Sequence, residues 1–202
     1  MGFDIYGMNP VIKKGSVKPE RPNDSVDIYE DTDGAWSKYF ELLSEYEDDN
    51  PGIYFRANVW SWRPIVEFLC EHMDFLDQDE ANDLSYNNGG IINSEKANRI
   101  AERIFDLDDI DAVNQWVQQK KLAILMLDKE SCSICEGTGV RDVQPMLADL
   151  EPYTKEGKSG YKCNGCDGEG VQEPFAANYP FSRDRIIEFG IFAKESGGFQ
   201  IC

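Results

Sequence analysis

The sequence predicts an α+β protein with a mainly helical body and a small zinc-knuckle insertion. Three observations predict it. Apolar residues recur at helical spacing in five separate stretches. Short apolar pieces near both ends of the sequence read as extended. Between residues 130 and 173 the helical pattern stops, glycine rises, and Cys-x-x-Cys-x-Gly-x-Gly occurs twice. The expected division is a helix-rich body over 1–129, a zinc-binding module over 130–173, and a C-terminal helix over 174–202 that packs back on the body.

Residues 1–12 are apolar but broken by Gly7 and Pro10, so a short strand and a turn are expected. Residues 13–33 carry Gly15, Pro19, Pro22 and many charges, and read as an exposed loop. Trp36, Tyr39, Phe40, Leu43 and Tyr46 share one helical face, predicting a helix over 34–47 that Asn50-Pro51-Gly52 ends. The aromatic stretch Tyr54 to Trp62 precedes Pro64. Proline suits a first helical turn, so the next helix is expected over 63–76 with Ile65, Phe68, Leu69 and Met73 inward.

Asn87-Asn88-Gly89-Gly90 reads as a turn. Ser94 is the expected N-cap of a helix with Ala97, Ile100, Ala101, Ile104 and Phe105 inward. A further helix is expected over 110–128, with Val113, Trp116, Val117, Leu122 (or the stem of Lys121) and Leu125 inward. Ser182 should cap a last helix over 183–195 with Ile186, Ile187, Gly190, Ile191 and Ala193 inward; Gly197-Gly198 stops it. The tail Phe199-Gln200-Ile201-Cys202 reads as extended.

The chain has 202 residues, 41% hydrophobic and 29% charged, a globular composition. Acidic residues number 38 against 20 basic ones, for a formal charge of -18. Such a field repels phosphate backbones, so binding to generic nucleic acid is not expected. It provides solubility or attracts a basic partner. Mimicry of DNA would need carboxylates ordered over one face, whereas runs such as Asp77-Gln78-Asp79-Glu80 look like helix ends. The N-terminus has no signal-peptide pattern, and the longest apolar run, Leu122 to Leu127, is too short to span a bilayer. A cytoplasmic protein with no membrane partner is expected.

Four of the six cysteines form the two repeats, Cys132-Ser-Ile-Cys135-Glu-Gly137-Thr-Gly139 and Cys163-Asn-Gly-Cys166-Asp-Gly168-Glu-Gly170. Two residues between cysteines let the chain form a tight knuckle that turns both sulfurs onto one metal. Glycine allows the positive φ needed where the chain leaves it. Two knuckles supply four thiolates, the closed set of structural zinc, so one structural Zn2+ on Cys132, Cys135, Cys163 and Cys166 is expected. A pair of redox Cys-x-x-Cys motifs is the alternative, and repetition of all eight positions argues against it. The bracketed loop, Arg141 to Tyr161, is a partner-facing finger or a solvated excursion.

These repeats resemble the cysteine-rich zinc domain of DnaJ chaperones over about forty residues. That domain has four repeats where this chain has two. The His-Pro-Asp of the J-domain is absent, since the one histidine, His72, precedes Met73-Asp74. Chaperone activity is therefore not implied. Most of the chain resembles a family of phage and prophage proteins, through Met1 to Pro10, the Tyr-Phe-Arg-x-Asn-Val-Trp-x-Trp-Arg-Pro block at Tyr54 to Pro64, and Ser-Gly-Gly-Phe-x-Ile-Cys at Ser196 to Cys202. That resemblance implies a viral or mobile-element origin, hence a bacterial host cytoplasm, and no particular activity.

The block Tyr54 to Arg63 is the second candidate site. Arginine holds phosphate or carboxylate bidentately and indole stacks on a base. In an extended chain Arg56, Asn58, Trp60 and Trp62 would share one face, with Arg63 beside them. The competing reading is a buried aromatic strand with its arginines paired to local acids. Catalysis has little support: one histidine rules out a His-rich metal site, and no Gly-x-Ser-x-Gly elbow, P-loop or dinucleotide fingerprint is present. Cys70 and Cys202 read as packing and terminal residues. The reading is a non-enzymatic, zinc-stabilised binding protein of phage type that acts on a host or phage protein. The alternative is a small-ligand binder for a nucleotide signal in anti-defence, using the Arg56–Arg63 block.

Overall fold

The computed structural model describes residues 2–22, 34–142 and 152–202. The expected loop over 13–33 and the bracketed loop of the module therefore lie partly outside the described residues. The chain divides into two compact units, residues 1–118 with 179–202, and residues 119–178.

The first unit is α+β. Strands β1 (Gly2–Gly7), β2 (Tyr54–Asn58), β3 (Ile91–Ile92) and β9 (Phe199–Ile201) form an antiparallel sheet in the order β2-β1-β9-β3. Alternation decides its two faces. Phe3, Ile5, Phe55, Ala57, Ile92, Phe199 and Ile201 are buried on one side. Asp4, Tyr6, Tyr54, Arg56, Gln200 and Ile91 alternate with them on the other.

Helices α2 (Val59–His72), α4 (Ser94–Asp109) and α6 (Arg183–Glu195) supply most of the rest of the core. Phe189 is its hub, with ring centroids 5.3 Å from both Phe55 and Trp62 and 5.6 Å from Phe199. Trp62 is fully buried and donates its indole N–H to the Leu84 carbonyl at 2.8 Å. Gly190 keeps α6 close to α4: a Cβ there would meet Ile104 at 3.1 Å. Arg183 locks the two helices with a fork of hydrogen bonds to Asp108, 2.6 and 2.5 Å.

Several boundaries differ from expectation, each for a local reason. Helix α2 begins at Val59, not 63, because Asn58 ends β2 and caps the helix by accepting from the Ser61 N–H at 2.9 Å; Pro64 lies inside it. Its C-cap is Met73, and α3 (Gln78–Ser85) follows, opened by a capping box between Asp77 and Glu80. Asn93, not Ser94, caps α4. In α6 Ile186, Gly190 and Ala193 are buried as expected and Phe189 and Phe192 join them, whereas Ile187 is half-buried and Ile191 exposed. Ser182 caps α6 as expected. In α1 (Ala35–Asp49) only Trp36 is buried, and Phe40 is exposed. In α5 (Ala112–Leu125) Val113, Trp116 and Val117 are buried, while Leu122 and Leu125 face solvent.

The second unit holds two small antiparallel sheets. β4 (Glu130–Ser131) pairs with β8 (Val171–Gln172). β5 (Val140–Arg141), β7 (Lys158–Lys162) and β6 (Pro152–Lys155) form a three-stranded sheet in that order. The β6–β7 hairpin turns at Glu156-Gly157, φ 52 and 81, the two left-handed residues of a tight hairpin turn.

Candidate metal centre and the aromatic block

The two knuckles are near copies of one another. In the first, the Gly137 N–H donates to the Cys132 carbonyl (3.1 Å), Thr138 N–H to Cys135 carbonyl (3.0 Å), and Gly139 N–H to Cys135 Sγ (3.1 Å). In the second, Gly168 N–H donates to Cys163 carbonyl (3.0 Å), Glu169 N–H to Cys166 carbonyl (2.9 Å), and Gly170 N–H to Cys166 Sγ (3.2 Å). Positive φ falls at matching places, Glu136, Gly137 and Gly139 against Asp167, Gly168 and Gly170. The knuckles are also tied crosswise, Cys132 N–H to Gly170 carbonyl (2.9 Å) and Cys163 N–H to Gly139 carbonyl (3.0 Å).

This brings the four sulfurs together. Cys132 Sγ lies 3.9 Å from Cys163 Sγ, Cys135 Sγ lies 3.7 Å from Cys166 Sγ, and all four fall within 4.8 Å of one another. A tetrahedron with metal–sulfur bonds of about 2.3 Å places its sulfurs ~3.8 Å apart. All four cysteines are buried and none is in a disulfide. The cluster could hold a metal ion, and the donor set fits one. Burial pushes the Cys163 thiol above its ordinary value. Burial also raises Cys135, but the Gly139 N–H and the neighbouring thiols more than offset this and leave Cys135 lowered.

Side chains around the cluster fix the knuckles. Lys155 Nζ donates to the Gly168 and Glu169 carbonyls at 2.8 and 2.9 Å. Lys162 pairs with Asp167 at 2.6 Å, and Arg141 donates to Asn164 Oδ1 at 2.8 Å. Lys129 sits 3.2 Å from Glu173 and 3.7 Å from Glu169. Sequence reasoning missed Lys155. Its role comes from the β6–β7 register, which no local pattern around it encodes.

The aromatic block is not one site. Trp62 points into the core and Asn58 is the cap of α2. Trp60 and Arg63 both reach Tyr179, by a ring contact of 5.5 Å and a hydrogen bond of 3.1 Å. The shared face drawn for Arg56, Asn58, Trp60 and Trp62 is therefore corrected: extended alternation ends at Asn58. Arg56 lies on the outer sheet face, its Nε 3.7 Å from Asp4, with its side chain 74% exposed. Tyr54 donates a short hydrogen bond to the same Asp4. Tyr6 pairs with Tyr54 across β1 and β2, ring centroids 5.2 Å apart, and with Gln200 on β9, which pairs with Ile91 on β3. A row of four side chains thus crosses the sheet on its outer face, with Tyr6 and Ile91 about half exposed. Burial, then the charges of Asp4 and Glu47 among others, push the Tyr6 phenol above its ordinary value.

No family model, curated protein or solved structure matches this chain. Among the described residues, no helix is long and apolar enough to cross a membrane.

Proposed function

We propose that the chain is a non-enzymatic, zinc-stabilised protein that binds another protein, a basic one of the bacterial host or of a phage. The zinc part rests on four buried sulfurs at tetrahedral spacing, with no histidine or carboxylate among the donors. Four thiolates close the coordination shell, so zinc supplies a fixed crosslink and no open position for a substrate. Cys132, Cys135, Cys163 and Cys166 hold it, and Lys155 and the glycine N–H groups hold the knuckles around it. Free cysteines throughout suit the reducing cytoplasm of a host cell. The phage origin rests on the sequence resemblance described above.

The observation that carries the binding reading is the outer face of the four-stranded sheet. It presents two adjacent tyrosines with Asp4 and Glu47 close by, in a chain of charge -18. Exposed tyrosine rings suit the Lys and Arg side chains of a partner, and the negative field speeds its approach. The alternative, a nucleotide-sized ligand held by Arg56 to Arg63, has less support because Trp62 lies in the core and Asn58 serves as a cap.

Capture from host lysate followed by native mass spectrometry tests the reading, with wild-type chain beside Tyr6→Ala. A stoichiometric basic protein held by the wild type, and lost from the variant and at raised salt, is expected. A small-molecule adduct with no protein attached would move the function to the alternative.

A further inference from the structure

Leu122-Ala-Ile-Leu-Met-Leu127 is the longest apolar run in the chain, and the structure leaves it in water. Leu122, Leu125, Met126 and Leu127 are 59%, 80%, 85% and 49% exposed. The run forms the last turn of α5 and the residues that close it, through Met126 N–H to Leu122 carbonyl and Leu127 N–H to Ile124 carbonyl. The first half of the same helix buries Val113, Trp116 and Val117, so the helix changes from core element to surface element within its length. A contiguous exposed apolar patch of this kind marks an interaction site.

We propose that this end of α5 is a self-association surface on which two copies of the chain pair antiparallel about a two-fold axis. The charges flanking the run specify a second copy. Lys121 precedes it and Asp128 follows it. Two runs laid antiparallel, centred between Ile124 and Leu125, set Leu122 against Leu127 and Lys121 against Asp128, and symmetry makes each contact twice. Lys121 and Asp128 form no ion pair within their own chain among the described residues, so both are available. Lys129, which would otherwise add like charge, is already held by Glu169 and Glu173.

The distribution of charge permits the contact. Residues 119–178 contain seven basic and ten acidic residues, whereas the rest of the chain contains thirteen and twenty-eight. Most of the repulsion therefore originates outside the unit that carries the run. Covering the run on two copies removes on the order of 1,000 Å² from water, the lower end for a specific interface. The dimer is accordingly weak and depends on concentration. This proposal is independent of the reading of the sheet face.

Analytical ultracentrifugation of the full zinc-loaded chain, from micromolar to submillimolar concentration, tests it. The mass should rise from one chain to two and stop there, because a two-fold contact closes. Leu125→Glu should remain a monomer with an unchanged circular dichroism spectrum, since Leu125 is 80% exposed in the single chain. Lys121→Asp should weaken the dimer several-fold, and the double variant Lys121→Asp with Asp128→Lys should restore it. A single-chain mass at every concentration would overturn the proposal. So would growth past two copies, or failure of the double variant to restore what the single one lost.

Discussion

A Cβ on Gly139 would lie 2.2 Å from the carbonyl oxygen of Gly168, and one on Gly170 would lie 2.2 Å from that of Gly137. The second glycine of each knuckle thus rests on the first glycine of the other. The repeat is therefore a packing device as well as a ligand-spacing device. Its glycines let two knuckles close on each other tightly enough to bring four sulfurs within 4.8 Å of one another.

Gly139→Ala meets both that contact and a φ of 73, so it should part the knuckles. Left-handed backbone alone costs about 1–2 kcal/mol for a residue with a Cβ, and the clash adds to it. Competition with a chelator should strip metal from the variant at least tenfold more readily, with the helical signal of the rest of the chain retained. Wild-type retention by Gly139→Ala would show that the close approach does not hold the site.

Metal retention should depend on pH with a definite sign. A metal-bound thiolate has its proton affinity lowered, so its contribution is full above the ordinary thiol value of about 8.5 and declines as pH falls. An indicator dye should report metal release on acidification and recapture on return to neutral pH. Metal held unchanged until the whole chain unfolds would contradict this.

Within the aromatic block, Trp62 and Arg56 should separate sharply. Trp62→Ala empties the centre of the core and leaves the Leu84 carbonyl without its donor, which should cost about 3–5 kcal/mol. Arg56→Ala removes a long, exposed pair and should cost under about 1 kcal/mol. Chemical denaturation of the two variants measures both. An Arg56→Ala loss as large as that of Trp62→Ala would show a buried role for Arg56 that its exposure denies.

The chain should not shift arbitrary duplex DNA or RNA at physiological salt, because its formal charge is -18. Electrophoretic mobility at micromolar protein checks this. A shift that weakens as salt rises would mean a cationic surface stronger than the net field.

What could be read in advance follows the range of the forces involved. The four cysteines lie in short repeats whose geometry is local, so their convergence was legible before any fold was known. Helices α4 and α6 were legible too, because an apolar stripe buried on one side leaves a periodic trace. The end of α2 nearer Asn58 was hidden by Pro64, whose preference for a first turn competed with a cap one turn earlier. Helix α3 carries a capping signal at Asp77 and Glu80 but no apolar stripe, because its eight residues bury only Leu84. Leu122 and Leu125 continue the apolar pattern of α5 after the core has ended, and periodicity cannot tell a buried stripe from an exposed one. The pairing of Tyr6 with both Tyr54 and Gln200 depends on strands far apart in the chain, which no local pattern encodes.

The central claim is that Cys132, Cys135, Cys163 and Cys166 together hold one zinc ion that keeps the knuckles closed. Native mass spectrometry of chain purified without chelator, beside Cys163→Ser, tests it most directly. One zinc per wild-type chain is expected, and in the variant a loss of zinc with new protease cleavage confined to the segment 130–173. A wild-type chain that carries no metal, or that carries iron, would contradict it. So would a Cys163→Ser segment as resistant to protease as the parent.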